Sequence, residues 1–144
     1  METSLIERLD KLRYDLLKWC TIGWGIWFGT FILKDLIVSP TIISLATWIG
    51  LAGWLIFIIN LIKFMKLRRE LKGDLKVQAA LNDELQQLNW FKSSEIGYSI
   101  MIAVTATLFA MSQFISISAN LVTEIILYFG VLSGLIASLF YNRD

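Results

Sequence analysis

Three side chains stand out because they bring formal charge into otherwise apolar stretches of the 144-residue chain: Lys34, Asp35 and Glu124. Between Trp19 and Ile62 the only ionisable groups are Lys34, Asp35 and the thiol of Cys20, and between Gly97 and Asn142 the only formal charge is Glu124. Charge inside a membrane is costly, and it marks ion paths, proton relays or substrate sites when it lies near the midplane. These three lie near helix ends, where long side chains reach water cheaply. The reading favoured by that placement is an outer-rim pair of Lys34 with Glu124, with Asp35 beside it. The alternative is an ion entrance. Softer polar groups lead away from Glu124: Asn120, Ser116, Gln113 and Ser112, continuing to Thr107 and Thr105, a candidate polar path. Other chemistry is short of parts. There is no His and one Cys, Cys20, so no imidazole base, paired-thiol redox centre or cysteine metal cluster can be assembled. No cofactor or metal site is expected.

The elements that carry these residues are set by hydropathy. Hydrophobic residues make up 56% of the chain and charged residues 17%, with a mean hydropathy of +0.64. That is well above the ~45–50% apolar share of soluble domains. A crossing of the ~30 Å hydrocarbon layer needs about 20 apolar residues. Four segments qualify, at 16–38, 41–62, 96–119 and 121–141. Ser39-Pro40 supplies a capping hydroxyl and the chain's only proline before the second, and Ser118-Ala119-Asn120 makes a short polar turn before the fourth. Residues 1–15 read as an amphipathic cytoplasmic helix, with Leu5, Leu9, Leu12 and Leu16 at 4-3-4 spacing. Residues 63–95 read as a charged helical loop, broken at Gly73-Asp74 and resuming with Val77, Leu81, Leu85 and Leu88. The expected fold is thus a single all-α membrane domain: four transmembrane helices as two antiparallel hairpins, with amphipathic cytoplasmic helices before the first and third spans.

Small residues recur in stripes, the pattern that lets helices approach closely in lipid. The first span has Gly25 and Gly29, the second Ala46, Gly50 and Gly53, and the fourth Gly130, Gly134 and Ala137. The third has Ser99, Ala103, Ala106, Ala110 and Gln113. These are read as packing faces of a four-helix bundle, with subunit contact as the sharper possibility. Among four-span families, small multidrug-resistance transporters need a glutamate inside the first span, and retinal proteins need a midplane lysine. The chain has neither, and it resembles no family on these residues.

The expected function is therefore a small non-enzymatic membrane protein, acting as a homo-oligomer or as a scaffold subunit for a membrane-protein partner through its cytoplasmic helices. The alternative is an ion channel or minimal transporter, its path lined by the third span near Glu124 and Gln113. With a net charge of +1, nucleic acid is not an expected partner; the lipid bilayer is. Twelve of the thirteen Lys and Arg residues fall on one side of the spans, and only Lys34 on the other. The positive-inside rule then places both termini and residues 63–95 in the cytoplasm, in the plasma membrane of a prokaryote. In a Cys20→Ala background, Pro40→Cys should react with an impermeant thiol reagent on intact cells and Gly73→Cys should not. The opposite labelling would invert the topology.

Overall fold

The computed structural model describes residues 2–37, 39–71 and 84–142, and every secondary-structure element among them is a helix. These are α1 (Glu2–Leu36), α2 (Pro40–Leu71), α3 (Glu84–Ser112) and α4 (Ala119–Tyr141). Each is long and apolar enough to cross a membrane. At ~1.5 Å per residue the 35 residues of α1 reach about 52 Å and the 23 of α4 about 34 Å. Only α4 is matched to the hydrocarbon layer; the others carry charged extensions beyond it.

The helix ends follow local chemistry. Pro40 opens α2, where its missing N–H costs nothing. Ser118 caps α4, its Oγ accepting from the Leu121 amide at 3.2 Å. α1 runs from Glu2 through Leu36 without interruption, so the helix over residues 2–15 continues directly into the first span. One boundary differs from the sequence reading. The third helix does not reach 119. It closes at Ser112, whose Oγ donates to the Phe109 carbonyl at 2.7 Å, while Gln113 N bonds back to Ala110 O and Phe114 N to Met111 O, both at three-residue separation. Alternating serines and isoleucines follow, and serine hydroxyls compete with the helix for backbone partners there. The expected helical stretch beginning at Val77, with Leu81, lies outside the described residues, as does Gly73.

Packing orders the helices α2–α1–α4–α3: α1 packs on α2, α4 on α3, and α1 on α4. The contacts run in opposite directions along each pair. Gly23 meets Phe57, Gly53 meets Trp27 and Gly50 meets Thr30. Gly25 meets Leu132 and Gly29 meets Tyr128. Asn89 meets Tyr141, and Gly130 meets Met101. α1 is the central element, with 28% of its span buried against 11% for α3 and 17% for the other two. It has two seams. Leu16, Cys20, Gly23 and Thr30 are buried at heptad-like spacing toward α2, and Thr21, Gly25 and Gly29 follow the side that meets α4.

The closest approach is not at the expected Gly25–Gly29 pair. A Cβ on Gly23 would sit 2.6 Å from Phe57 N and 2.9 Å from Gly53 O, so the two backbones touch at Gly23 and Gly53. In α3–α4 the same role falls to Gly97, whose Cβ would meet Gly130 O at 3.0 Å and Gly134 Cα at 3.1 Å. The expected stripe of α3 is displaced too. Ser99, Ala103, Ala106 and Ala110 are exposed, and Ser93, Gly97 and Leu108 are the buried positions. Glycine wins over alanine because it removes the last carbon between two backbones.

An aromatic cluster locks the α1–α2 crossing. Trp24 stacks on Phe28 with centroids 4.4 Å apart, and Trp27 stacks on Phe57 at 5.9 Å. Gly23→Ala should therefore separate α1 from α2 and destabilise the protein by about 1–3 kcal/mol, as overpacking does. Gly25→Ala meets only Leu132 at an ordinary 3.5 Å and should stay within ~0.5 kcal/mol of wild type. Unfolding by SDS titration in mixed micelles checks both, and equal effects would contradict the assignment of the crossing point.

Candidate functional site

Two ends of the molecule hold the remaining polar chemistry. At the end bearing the short connections, α1 delivers Lys34 and Asp35 and the first turns of α4 deliver Glu124. The expected rim pair is not formed. Lys34 lies with its ammonium 5.7 Å from the ring centroid of Phe31, one turn back on its own helix. Glu124 is half-buried, with Oε2 shielded and without a hydrogen-bond partner in the protein. Gly25 opposite Leu132 and Gly29 opposite Tyr128 extrapolate to Lys34 and Asp35 level with residues 122–123, so the lysine shares the depth of Glu124 but lies along its own helix toward Phe31.

The polar residues leading from Glu124 do not line a common face of a span. Ser112 is the last residue of α3, Gln113 and Ser116 lie in the connection, and Asn120 is in the first turn of α4. All four are exposed. Thr105 and Thr107, further along α3, are exposed as well and donate to the carbonyls of Met101 and Ala103 at 2.7 and 2.9 Å. Thr21, Thr30, Thr47, Thr123 and Ser133 likewise bond to carbonyls three or four residues earlier. Such back-bonding satisfies a hydroxyl inside its own helix. Of the residues that sequence singled out as a polar path, Thr105, Thr107 and Ser112 are therefore self-contained within α3.

The other end carries charge of both signs, and its organisation was missed in the sequence. Asn89 near the start of α3 donates from Nδ2 to the Tyr141 carbonyl at 2.9 Å, satisfying one orphan acceptor at the end of α4. Asn142 donates to the Ser138 carbonyl at 2.7 Å and reaches Ser138 Oγ at 3.3 Å. Lys92 lies 5.9 Å from the Tyr141 ring. Beside these contacts, Asp10 and Arg13 of α1, Phe64 of α2, Trp90 of α3 and Ser138 and Asn142 of α4 border one shallow recess. It is where all four helices meet. The signal available in the sequence was weak: amides at helix ends and an arginine one turn ahead of the apolar span.

Among the described residues no group of three or more His, Cys, Asp or Glu side chains is placed to hold a metal ion. Cys20 is a free, buried thiol on the α1–α2 seam. The fold and composition define a multi-pass, all-α membrane protein. No protein-family model, curated protein or solved structure matches the chain. Because Lys34 and Glu124 are not paired, Glu124→Gln and Lys34→Met should act independently, their double variant equalling the sum within ~0.5 kcal/mol. A coupling of about 1 kcal/mol or more in a double-mutant cycle would restore the rim pair.

Proposed function

We propose that the protein is a non-enzymatic, multi-pass membrane protein that works by self-association, its copies meeting along α3. The observation that carries this is the position of Ser99, Ala103, Ala106 and Ala110. They recur at helical spacing on a flanking helix, and they are exposed because α3 uses Ser93, Gly97 and Met101 to pack on α4. Lipid tails gain nothing from meeting small side chains, whereas a second helix gains close backbone approach. The bulky exposed neighbours Ile102 and Phe109 would border such a seam. In this reading the chain forms two antiparallel hairpins in a prokaryotic plasma membrane. Both termini and residues 63–95 face the cytoplasm, and the charged extensions of α1, α2 and α3 offer a platform for other membrane proteins.

The channel reading has less behind it, since the hydroxyls of α3 are bonded to their own backbone and Gln113 lies beyond the helix. Oligomer mass in lipid nanodiscs tests the proposal. The Ala103→Leu/Ala106→Leu variant should shift the wild-type oligomer toward monomer while leaving the fold intact, because both positions are exposed. A wild type that is monomeric at all loadings, or a variant with unchanged mass, would overturn it.

A further inference from the structure

The positive charge of the chain is concentrated at the end of one helix. Residues 63–72 hold Lys63, Lys66, Arg68, Arg69 and Lys72 against Glu70, although the whole chain has a net charge of only +1. The extension of α1 is balanced instead: Arg8, Lys11, Arg13 and Lys18 stand against Glu2, Glu7, Asp10 and Asp15. The start of α3 is mixed as well, with Lys92 between Glu84 and Glu95. Cations in the last turn of a helix complement its dipole, but that effect fades within one turn. Lys63 precedes the end of α2 at Leu71 by about two turns, so the dipole does not account for it.

These cations continue a line that faces away from α1. On the inner side of α2, Ala46, Gly50 and Gly53 are buried, the two glycines against Thr30 and Trp27. On the opposite side Leu51, Leu55, Ile59 and Ile62 are exposed at helical spacing, and Lys66 and Arg69 extend the same register. Lys63, next to Ile62, is exposed too. From Pro40 to Ile62 no side chain is ionisable, and at ~1.5 Å per residue Lys63 is about 35 Å from Pro40. Charge therefore enters where the ~30 Å hydrocarbon layer gives way to headgroups. Arg69 follows roughly 9 Å further along the helix, close to one Debye length at physiological salt. A phospholipid seated on this line lays its acyl chains along Leu55, Ile59 and Ile62 and its phosphate among the cations. Lys66 also interacts within the protein, so the site rests on Lys63 and Arg69.

We propose that this face of α2 gathers anionic phospholipid, of the phosphatidylglycerol class, from the leaflet at its charged end. Each Lys or Arg beside an anionic surface is worth about fivefold in binding. A zwitterionic headgroup brings its own ammonium, which cancels that attraction. The site does not depend on self-association: the proposed seam is on α3, and α2 lies at the other end of the packing order.

Native mass spectrometry of the full-length protein with equimolar phosphatidylglycerol and phosphatidylcholine reads the preference. Wild type should retain phosphatidylglycerol over phosphatidylcholine. Lys63→Gln/Arg69→Gln should reduce that preference by at least about tenfold. Arg8→Gln/Lys11→Gln removes the same net charge from exposed positions of α1 and should leave the preference within about twofold of wild type. The charge-conserving Lys63→Arg/Arg69→Lys variant should behave as wild type, and an unchanged SDS-unfolding midpoint for the glutamine variants separates lipid attraction from folding. Glycerophosphoglycerol, which has the headgroup but no acyl chains, should fail to displace the lipid at millimolar concentration. Equal retention of the two lipids by wild type, equal losses in the two glutamine variants, or displacement by glycerophosphoglycerol would overturn the proposal.

Discussion

Where Gly23 passes Gly53, one added carbon would lie 2.6 Å from the backbone nitrogen of Phe57. Much of the structure depends on contacts of that kind. In lipid the hydrophobic effect does not draw helices together, because the surroundings are as apolar as leucine. Dispersion between closely fitted surfaces must do so, and it falls away within a fraction of an ångström. The chain meets this demand twice, at Gly23–Gly53 between α1 and α2 and at Gly97–Gly130 between α3 and α4. The two pairs then join along α1 and α4, where Gly25 and Gly29 meet Leu132 and Tyr128 at ordinary contact distance. The join is looser than the pairs it connects.

How much of this was legible depends on which physical signal each feature leaves. Four helices long enough to span a membrane follow from composition alone, since any run of about 20 apolar residues declares itself. Pro40 and Ser118 announced their helix starts by type. The register between helices left no comparable mark. Gly25-Gly29 and Ala103-Ala106-Ala110 match the small-residue pattern as well as Gly23 and Gly97 do, and only the three-dimensional crossing decides which glycine meets a backbone. The end of α3 was misjudged for a related reason. Residues 113–118 are apolar enough to count toward a span, but Ser116 and Ser118, alternating with isoleucines, favour local turns over helix.

The same uncertainty touched the candidate site. Lys34 and Glu124 have opposite signs and similar depth, so pairing them is a reasonable expectation; in the fold the lysine turns to Phe31 and Glu124 Oε2 has no hydrogen-bond partner in the protein. The opposite end shows the converse. Asp10, Arg13, Trp90 and Asn142 are far apart in sequence and unremarkable singly, yet the crossing of α1 with α4 and of α4 with α3 brings them to one recess. Hydroxyls within the spans bond to their own helices, the polar contacts between helices gather at this end, and the interior is held by shape.

The packing order is the claim on which the rest stands, and proximity between α1 and α4 tests it most directly. In a Cys20→Ala background, cysteines at positions 25 and 132 should be joined within one chain in membranes by a short thiol-reactive crosslinker, since a Cβ at Gly25 lies 3.5 Å from a Leu132 methyl. The account predicts a linked monomer of altered gel mobility at high yield. Linkage only between chains, or none while the single variants assemble normally, would separate α1 from α4 and contradict it.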